Sequence, residues 1–469
     1  MTPPTPSLTI AALHSGYASG AFTPEDVIHT IYDRIDAYPD KAVWIHLIPR
    51  QQALDDAERL TSSLHASSSV SLTPLPPLYG IPFSVKDSID VFPYPTTLAC
   101  PTFAFVPDRT APCVQRILDA GGIFIGKTNL DQFATGLSGH RSPYGTPRCV
   151  FDAEYISGGS SSGSAVSVGA DLVSFTVATD TAGSTRVPAA LNGVVGLKPT
   201  LGTISTVGLV PACKTADCIT VISRTVADAR VAQGVMTAYD EEDVYARQTL
   251  PAWPTLWPSG TRSIRFGIPP PDLLEVLSPE YARLFNTTIS TLSSVLGLSP
   301  PRQFDYTPFS SANALLYGSS IVSQRLVAFD TYLQSHGYAD LHPVVASIFQ
   351  SSQGFDAVRA YKDIFDLQCL RRKTEIQFRD NIDVLIVPST LCHFTVQEMD
   401  ESPVERNKLL GSFTHFVNLL DLCAVQVPTG TWRNEEGREM PFGVTIIGQA
   451  GRDGEVLALG ERVMEACRT

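Results

Sequence analysis

The residues of this chain best suited to do chemistry lie between positions 155 and 187, in YISGGSSSGSAVSVGADLVSFTVATDTAGSTRV. Two serine-bearing glycine turns occur there, Gly158-Gly159-Ser160-Ser161-Ser162-Gly163 and Asp180-Thr181-Ala182-Gly183-Ser184, with Ser160 and Ser184 24 residues apart. Glycines beside a serine let consecutive backbone N–H groups converge on one point, as an oxyanion hole requires, so the pattern predicts acyl transfer through a serine nucleophile. A Gly/Ser run by itself reads as a linker. Here a small-residue segment of helical character (165–170) and an apolar run expected as a buried strand (172–178) separate the turns, which no flexible linker would contain. The residues alone leave a second reading open. Gly159 to Gly163 also fits GxSxG, the nucleophile elbow of a Ser-His-Asp hydrolase, with Ser161 as nucleophile. Against it, residues 151–157 are polar and irregular where a strand should precede the elbow. His336, His342, His393 and His415 have no distinctive setting.

The paired turns resemble the amidase signature family, whose catalytic set is Ser, cis-Ser and Lys. The resemblance is dense over residues 78–218 and thin from there to the C-terminus. It implies Ser184 as nucleophile, Ser160 as the bridging residue at a cis peptide bond, and Lys86, in Leu78-Tyr79-Gly80-Ile81-Pro82-Phe83-Ser84-Val85-Lys86-Asp87, as base. The backbone N–H groups of Thr181, Ala182, Gly183 and Ser184 would form the oxyanion hole, with Asp180 bracing the turn. A serine hydroxyl needs a base, and a lysine serves only when neutral; burial at the end of an interior strand favours that form. Asp87 should point to the opposite face from Lys86 and not pair with it.

The strings Lys127-Thr128-Asn129-Leu130-Asp131-Gln132-Phe133-Ala134-Thr135-Gly136 and Val210-Pro211-Ala212-Cys213 resemble the allophanate hydrolase branch in particular. That branch implies hydrolysis of allophanate to N-carboxycarbamate and ammonia without a cofactor or metal. The alternatives are an amidase of another small carboxylated or neutral amide, or a non-catalytic amidotransferase-like subunit; the complete Lys86, Ser160 and Ser184 set speaks against the last. Tyr317 and Arg325, eight residues apart in a helical pattern over 310–335, are expected about 80° apart around one axis and facing one pocket. The resemblance gives them the substrate carboxylate, which a guanidinium binds bidentately. Gly136 is a further candidate, for a main-chain contact to substrate. Two departures concern the pocket. Ala182 stands where many amidases carry Gly, and Thr185 where the branch carries Gly, so a β-branched residue is expected to narrow the site.

The remaining chemistry-like signals are weaker. Residues 121–128, GGIFIGKT, satisfy GxxxxGK[ST], but Ile123, Phe124 and Ile125 prefer a buried strand to an open phosphate cradle. Nine cysteines without a CxxC pair give neither a zinc site nor a disulfide framework, and Cys213 and Cys218 are expected as thiols. A net charge of -13 without a dense Lys/Arg patch excludes a nucleic-acid partner. With no run of eighteen apolar residues and no signal-like start, no membrane association and a cytosolic location are expected. The branch implies a homodimer and, as partners, a separate decarboxylating domain or a urea carboxylase. Its usual smaller C-terminal domain is expected to be absent from these 469 residues.

The elements that must position these residues read as one α/β domain, with a mixed sheet covered by helices on both faces. An N-terminal helical layer (about 1–66) has helices opening at Thr23-Pro24 and over 52–65. Residues 67–77 read as a loop, 80–86 as the first core strand, and 112–120 as a helix before a strand at 123–126. Thr128 and Asp131 suggest a capping box for another helix. Strands at 194–197 and within 202–211 and a helix over 224–236 follow; residues 239–260 are the weakest candidate for order. Further helices (279–296, 355–379) and strands (264–268, 384–387, 424–427, 442–447) lead to a last helix over 454–467.

Overall fold

The computed structural model describes residues 7–66, 75–250, 264–298 and 300–468. Ten strands drawn from most of that length pair into one sheet. They are β1 (Trp44–Leu47), β2 (Ile81–Lys86), β3 (Gly122–Thr128), β4 (Phe175–Asp180), β5 (Val195–Lys198), β6 (Cys218–Ser223), β7 (Phe266–Gly267), β8 (Val384–Pro388), β9 (Leu422–Arg433) and β10 (Glu439–Gln449). Their order is β1-β3-β2-β4-β6-β5-β9-β10-β8-β7. β2 runs parallel to β3 and β4, and β7 to β8; the other pairs are antiparallel. Every residue of β2, β3, β4, β5, β6 and β8 is buried, whichever way its side chain points, so helices cover both faces of the sheet. The edges are the short β1 and β7, which limits exposed pairing surface.

Most elements lie where the hydrophobic pattern places them. Thr23 and Asp26 cap the helix Pro24–Ala37 reciprocally, the glycine-rich GGIFIGKT segment is the buried strand β3, and all nine cysteines are free thiols. Part of the expected loop at 67–77 and of the weakly ordered stretch at 239–260 lies outside the described residues. Four expectations fail. The N-terminal layer also contains the helix Ile10–Ser19 and the edge strand β1, whose four half-buried residues are too few to show a period. β6 was not expected at all, and residues 202–211 contain no named strand. Thr128 ends β3 and caps no helix, because Asp131 turns inward to accept the N–H groups of Gly139 (3.0 Å) and Arg141 (3.1 Å).

The single helix expected over 310–335 is broken into Thr307–Gly318, a 3-10 turn Ser320–Ser323, and Gln324–His336. Ser319 causes the break locally: its hydroxyl bonds back to the Leu315 carbonyl (2.7 Å) and accepts the N–H of Ile321 (3.3 Å). Asp363 accepts the N–H of Ser320 at 2.8 Å. Side chains of this kind compete with the helix for backbone groups. Tyr317 and Arg325 therefore share no helix, and their angular relation on one axis does not apply.

Candidate active site

The two glycine turns are brought together by strand β4 and the helix Ser162–Gly169, which packs on β2, β3 and β4. Ser84 of β2 fixes that helix through hydrogen bonds to Ser167 (3.1 Å) and Thr176 of β4 (2.8 Å). At the end of β2, Lys86 is fully buried and donates from Nζ to Ser160 Oγ (2.7 Å) and Thr179 Oγ1 (2.8 Å). Burial pushes the Lys86 ammonium down to about 7, although Asp131, Asp180 and Asp217 pull it upward. Burial thus favours the neutral amine in Lys86 more than in an ordinary lysine. Asp87 faces the other way and pairs with Lys127 at 3.3 Å.

The Gly159–Ser160 peptide bond is cis. A side chain at Gly159 would collide with Asp131 Oδ2 at 2.1 Å, so only glycine lets the turn close on the loop that Asp131 organises. The Ser160 carbonyl accepts from the N–H groups of Asp131 (3.1 Å) and Ser162 (3.0 Å). Ser161 donates to the Thr179 carbonyl at 3.2 Å. The four downstream histidines are engaged elsewhere: His393 with the Ile156 carbonyl, His342 at a helix start, His336 beside Ser335, and His415 against the Tyr317 ring. Among the described residues, Ser161 Oγ thus has the Thr179 carbonyl and no histidine as its partner.

The turn carrying Ser184 hangs on Asp180. Arg186 donates to both of its carboxylate oxygens (3.0 and 2.8 Å), Gly183 N–H to Oδ1 (2.8 Å) and Thr185 N–H to Oδ2 (3.1 Å). Burial opposes ionisation of Asp180, yet Arg186 and these amides hold its carboxyl at about 2. The Gly183 amide is thereby spent, which alters the expected four-amide hole: among the described residues, the N–H groups of Thr181, Ala182 and Ser184 are the ones without a protein acceptor. Gly183 sits at φ 120°, where a side chain would strike Thr414 Oγ1 at 2.3 Å. Thr414 in turn donates to the Ala182 carbonyl (2.8 Å), and Thr181 to Asp217 (2.5 Å). Thr185, expected to narrow the pocket, is tied to strands β4 and β6. Its hydroxyl lies between the Thr179 carbonyl (3.2 Å) and Thr220 Oγ1 (2.5 Å), on the side of the sheet.

Arg325 is 3% exposed and donates to Thr135 Oγ1 at 2.8 Å. Gly136 follows directly, and a side chain there would meet Asp131 Oδ2 at 2.6 Å and Arg141 Nη1 at 3.2 Å. Arg141, which the sequence reading missed, is fully buried and donates to the Thr135 carbonyl (3.0 Å) and the Pro403 carbonyl (2.8 Å). It lines a cavity of about 220 Å³ with Tyr317, Val322, Ile348 and Asn407. Nothing local marks Arg141 or Arg186 in the sequence, where an arginine beside Ser or Val reads as solvated. Among the described residues, no cluster of His, Cys, Asp and Glu is set to hold a metal ion, and no helix is long and apolar enough to cross a membrane.

The amidase family model matches residues 26–457. The chain is 36% identical to urea amidolyase of Saccharomyces cerevisiae over 443 residues, covering 94% of this chain and 23% of that protein. It is 37% identical to urea amidolyase of Lachancea kluyveri over 451 residues, covering 94% and 24%. Allophanate hydrolase of Kluyveromyces lactis superposes with a TM-score of 0.86 at 35% identity, over 99% of this chain and 73% of that one. The chain thus spans about a quarter of the length of the urea amidolyases it matches (23% and 24%).

Proposed function

Because the chain belongs to the amidase family, we propose that it hydrolyses a small linear amide, and that the amide is allophanate. The observation that carries the reaction type is the 2.7 Å bond from the buried Lys86 to Ser160 beside the glycine turn of Ser184. Similarity to urea amidolyases and an allophanate hydrolase supports the substrate.

Neutral Lys86 takes the proton of Ser160, and Ser160 takes that of Ser184 as its Oγ attacks the terminal amide carbon. The oxyanion is met by the amides of Thr181, Ala182 and Ser184, oriented before the charge forms. The proton held by Lys86 returns through Ser160 to the leaving nitrogen, releasing ammonia. Water, activated by the same pair, then resolves the acyl-enzyme to N-carboxycarbamate and restores Ser184. Tyr317 and Arg325 hold the carboxylate, and the main chain at Gly136 contacts the substrate. In this reading the 469 residues are a single amidase domain acting in the cytosol as a homodimer, beside a urea-carboxylating activity.

Ammonia release measured on allophanate, biuret, malonamate and simple aliphatic amides tests the proposal. Allophanate should give the highest kcat/KM. A neutral aliphatic amide turned over faster than any carboxylated one would overturn the substrate assignment, and silence on the whole panel would overturn the hydrolase.

A further inference from the structure

Two buried cations near the site have carboxylate partners in contact: Arg186 lies 2.8 Å from Asp180 and Lys127 lies 3.3 Å from Asp87. Arg141 and Arg325 do not. Both are almost wholly inaccessible, at 0% and 3% exposure, and among the described residues no carboxylate lies within ion-pair distance of either guanidinium. Their protein bonds go to neutral oxygens, and they converge on one residue: Arg141 on the carbonyl of Thr135, Arg325 on its hydroxyl. The nearest acids, Asp131 for Arg141 and Asp217 for Arg325, act on them at longer range and spend their hydrogen bonds elsewhere. Asp131 accepts the backbone N–H groups of Gly139 and Arg141, and Asp217 accepts from Thr181, Ala212 and Cys213. Arg141 Nε is buried without a hydrogen-bond partner, and the side chain lines the cavity that Tyr317 also lines. An interior charge whose counter-ions lie beyond contact is only partly compensated, and a ligand carboxylate in direct contact recovers more of that cost in charge-assisted hydrogen bonds.

We propose that Arg141 is a specificity-determining residue, which with Arg325 forms a two-guanidinium seat for the carboxylate of the substrate. This rests on the hydrolase reading above and deepens it: selection for a carboxylated amide then depends on two arginines from distant segments. Thr135 holds both, Arg141 through its carbonyl and Arg325 through its hydroxyl, and Arg141 also ties the loop at Thr135 to the one at Pro403.

The test compares malonamate with its neutral counterpart malonamide in turnover, and follows malonate binding by calorimetry without turnover. Arg141→Gln should raise KM for malonamate at least tenfold and weaken malonate at least tenfold, while malonamide kcat/KM stays within threefold. Arg141→Lys, which keeps the charge, should recover most of the malonate affinity. Equal losses on malonamate and malonamide with malonate binding unchanged would overturn the seat and leave Arg141 as a strut between loops. Should Arg141→Gln fail to fold by circular dichroism, Arg141→Lys decides: a measurable loss of malonate affinity, up to tenfold, with malonamide kcat/KM unchanged supports the seat, and malonate bound as by the parent overturns it. If the parent hydrolyses no amide, the hydrolase reading fails separately, and the malonate titrations still decide the seat.

Discussion

Asp180 and Arg186, beneath the turn of Ser184, meet in a two-point ion pair, whereas Arg141 and Arg325, across the site, hold only the neutral oxygens of Thr135 and Pro403. Both pairs are buried, so solvent does not explain the difference. The first is balanced within the fold and orients the amides of the turn before any substrate arrives. The second has no carboxylate in contact, only Asp131 and Asp217 at longer range, and in the proposed seat a substrate carboxylate supplies the contact. A buried charge therefore reads differently according to its partner: the Asp180–Arg186 pair positions the backbone, whereas Arg141 and Arg325 keep donors that a ligand's charge can meet.

The largest effect expected tests whether the turn does the chemistry. Ser184→Ala and Lys86→Ala should each lower kcat about 10⁴-fold or more, and the double variant hardly further, since members of one relay act as a unit. Ser161→Ala should keep most of the turnover; if it is the dead variant and Ser184→Ala is active, the relay is misassigned.

The contrast between the pairs is sharpened by stability. Asp180→Asn should cost about 3–5 kcal/mol in urea unfolding, because it strands Arg186. Arg325→Gln, which strands no carboxylate, should cost below about 1 kcal/mol. Equal costs would break the comparison. Asp180 also gives the turn an acid limit. Its folded carboxyl lies at about 2 against an ordinary 3.8, so its contribution is full above the ordinary value and is lost as pH falls through about 2.

In turnover the order reverses for charged substrates. Arg325→Ala should cost about 2–5 kcal/mol in kcat/KM for carboxylated amides and far less for neutral ones, since it leaves the substrate carboxylate without a counter-charge. Equal losses would detach Arg325 from recognition.

The mildest test needs no substitution. Lys86 works as a base only when neutral, and burial brings it to about 7, so kcat/KM should rise about tenfold per pH unit below 7 and level off above it. A rate still climbing tenfold per unit at pH 9 would mean that the base is an ordinary exposed amine.

What the sequence determined by itself was local. A glycine turn beside a serine is visible within a few residues, although what a side chain at Gly159 or Gly183 would strike, Asp131 or Thr414, lies far along the chain. The strand that ends at Lys86 and the buried character of β3 follow from apolar runs just as short, as does most of the mixed α/β architecture. The resemblance supplied the pairing of Lys86 with two serines, which no spacing rule would give. What only the tertiary structure decided involves partners far apart along the chain. Thr181 meets Asp217 across 36 residues and Arg325 meets Thr135 across 190. The break at Ser319, which puts Tyr317 and Arg325 on separate helices, needs Asp363, 43 residues beyond Ser320. Backbone sterics and apolar periodicity are settled by near neighbours, but whether a buried charge is paired or left for a ligand depends on every segment that folds against it.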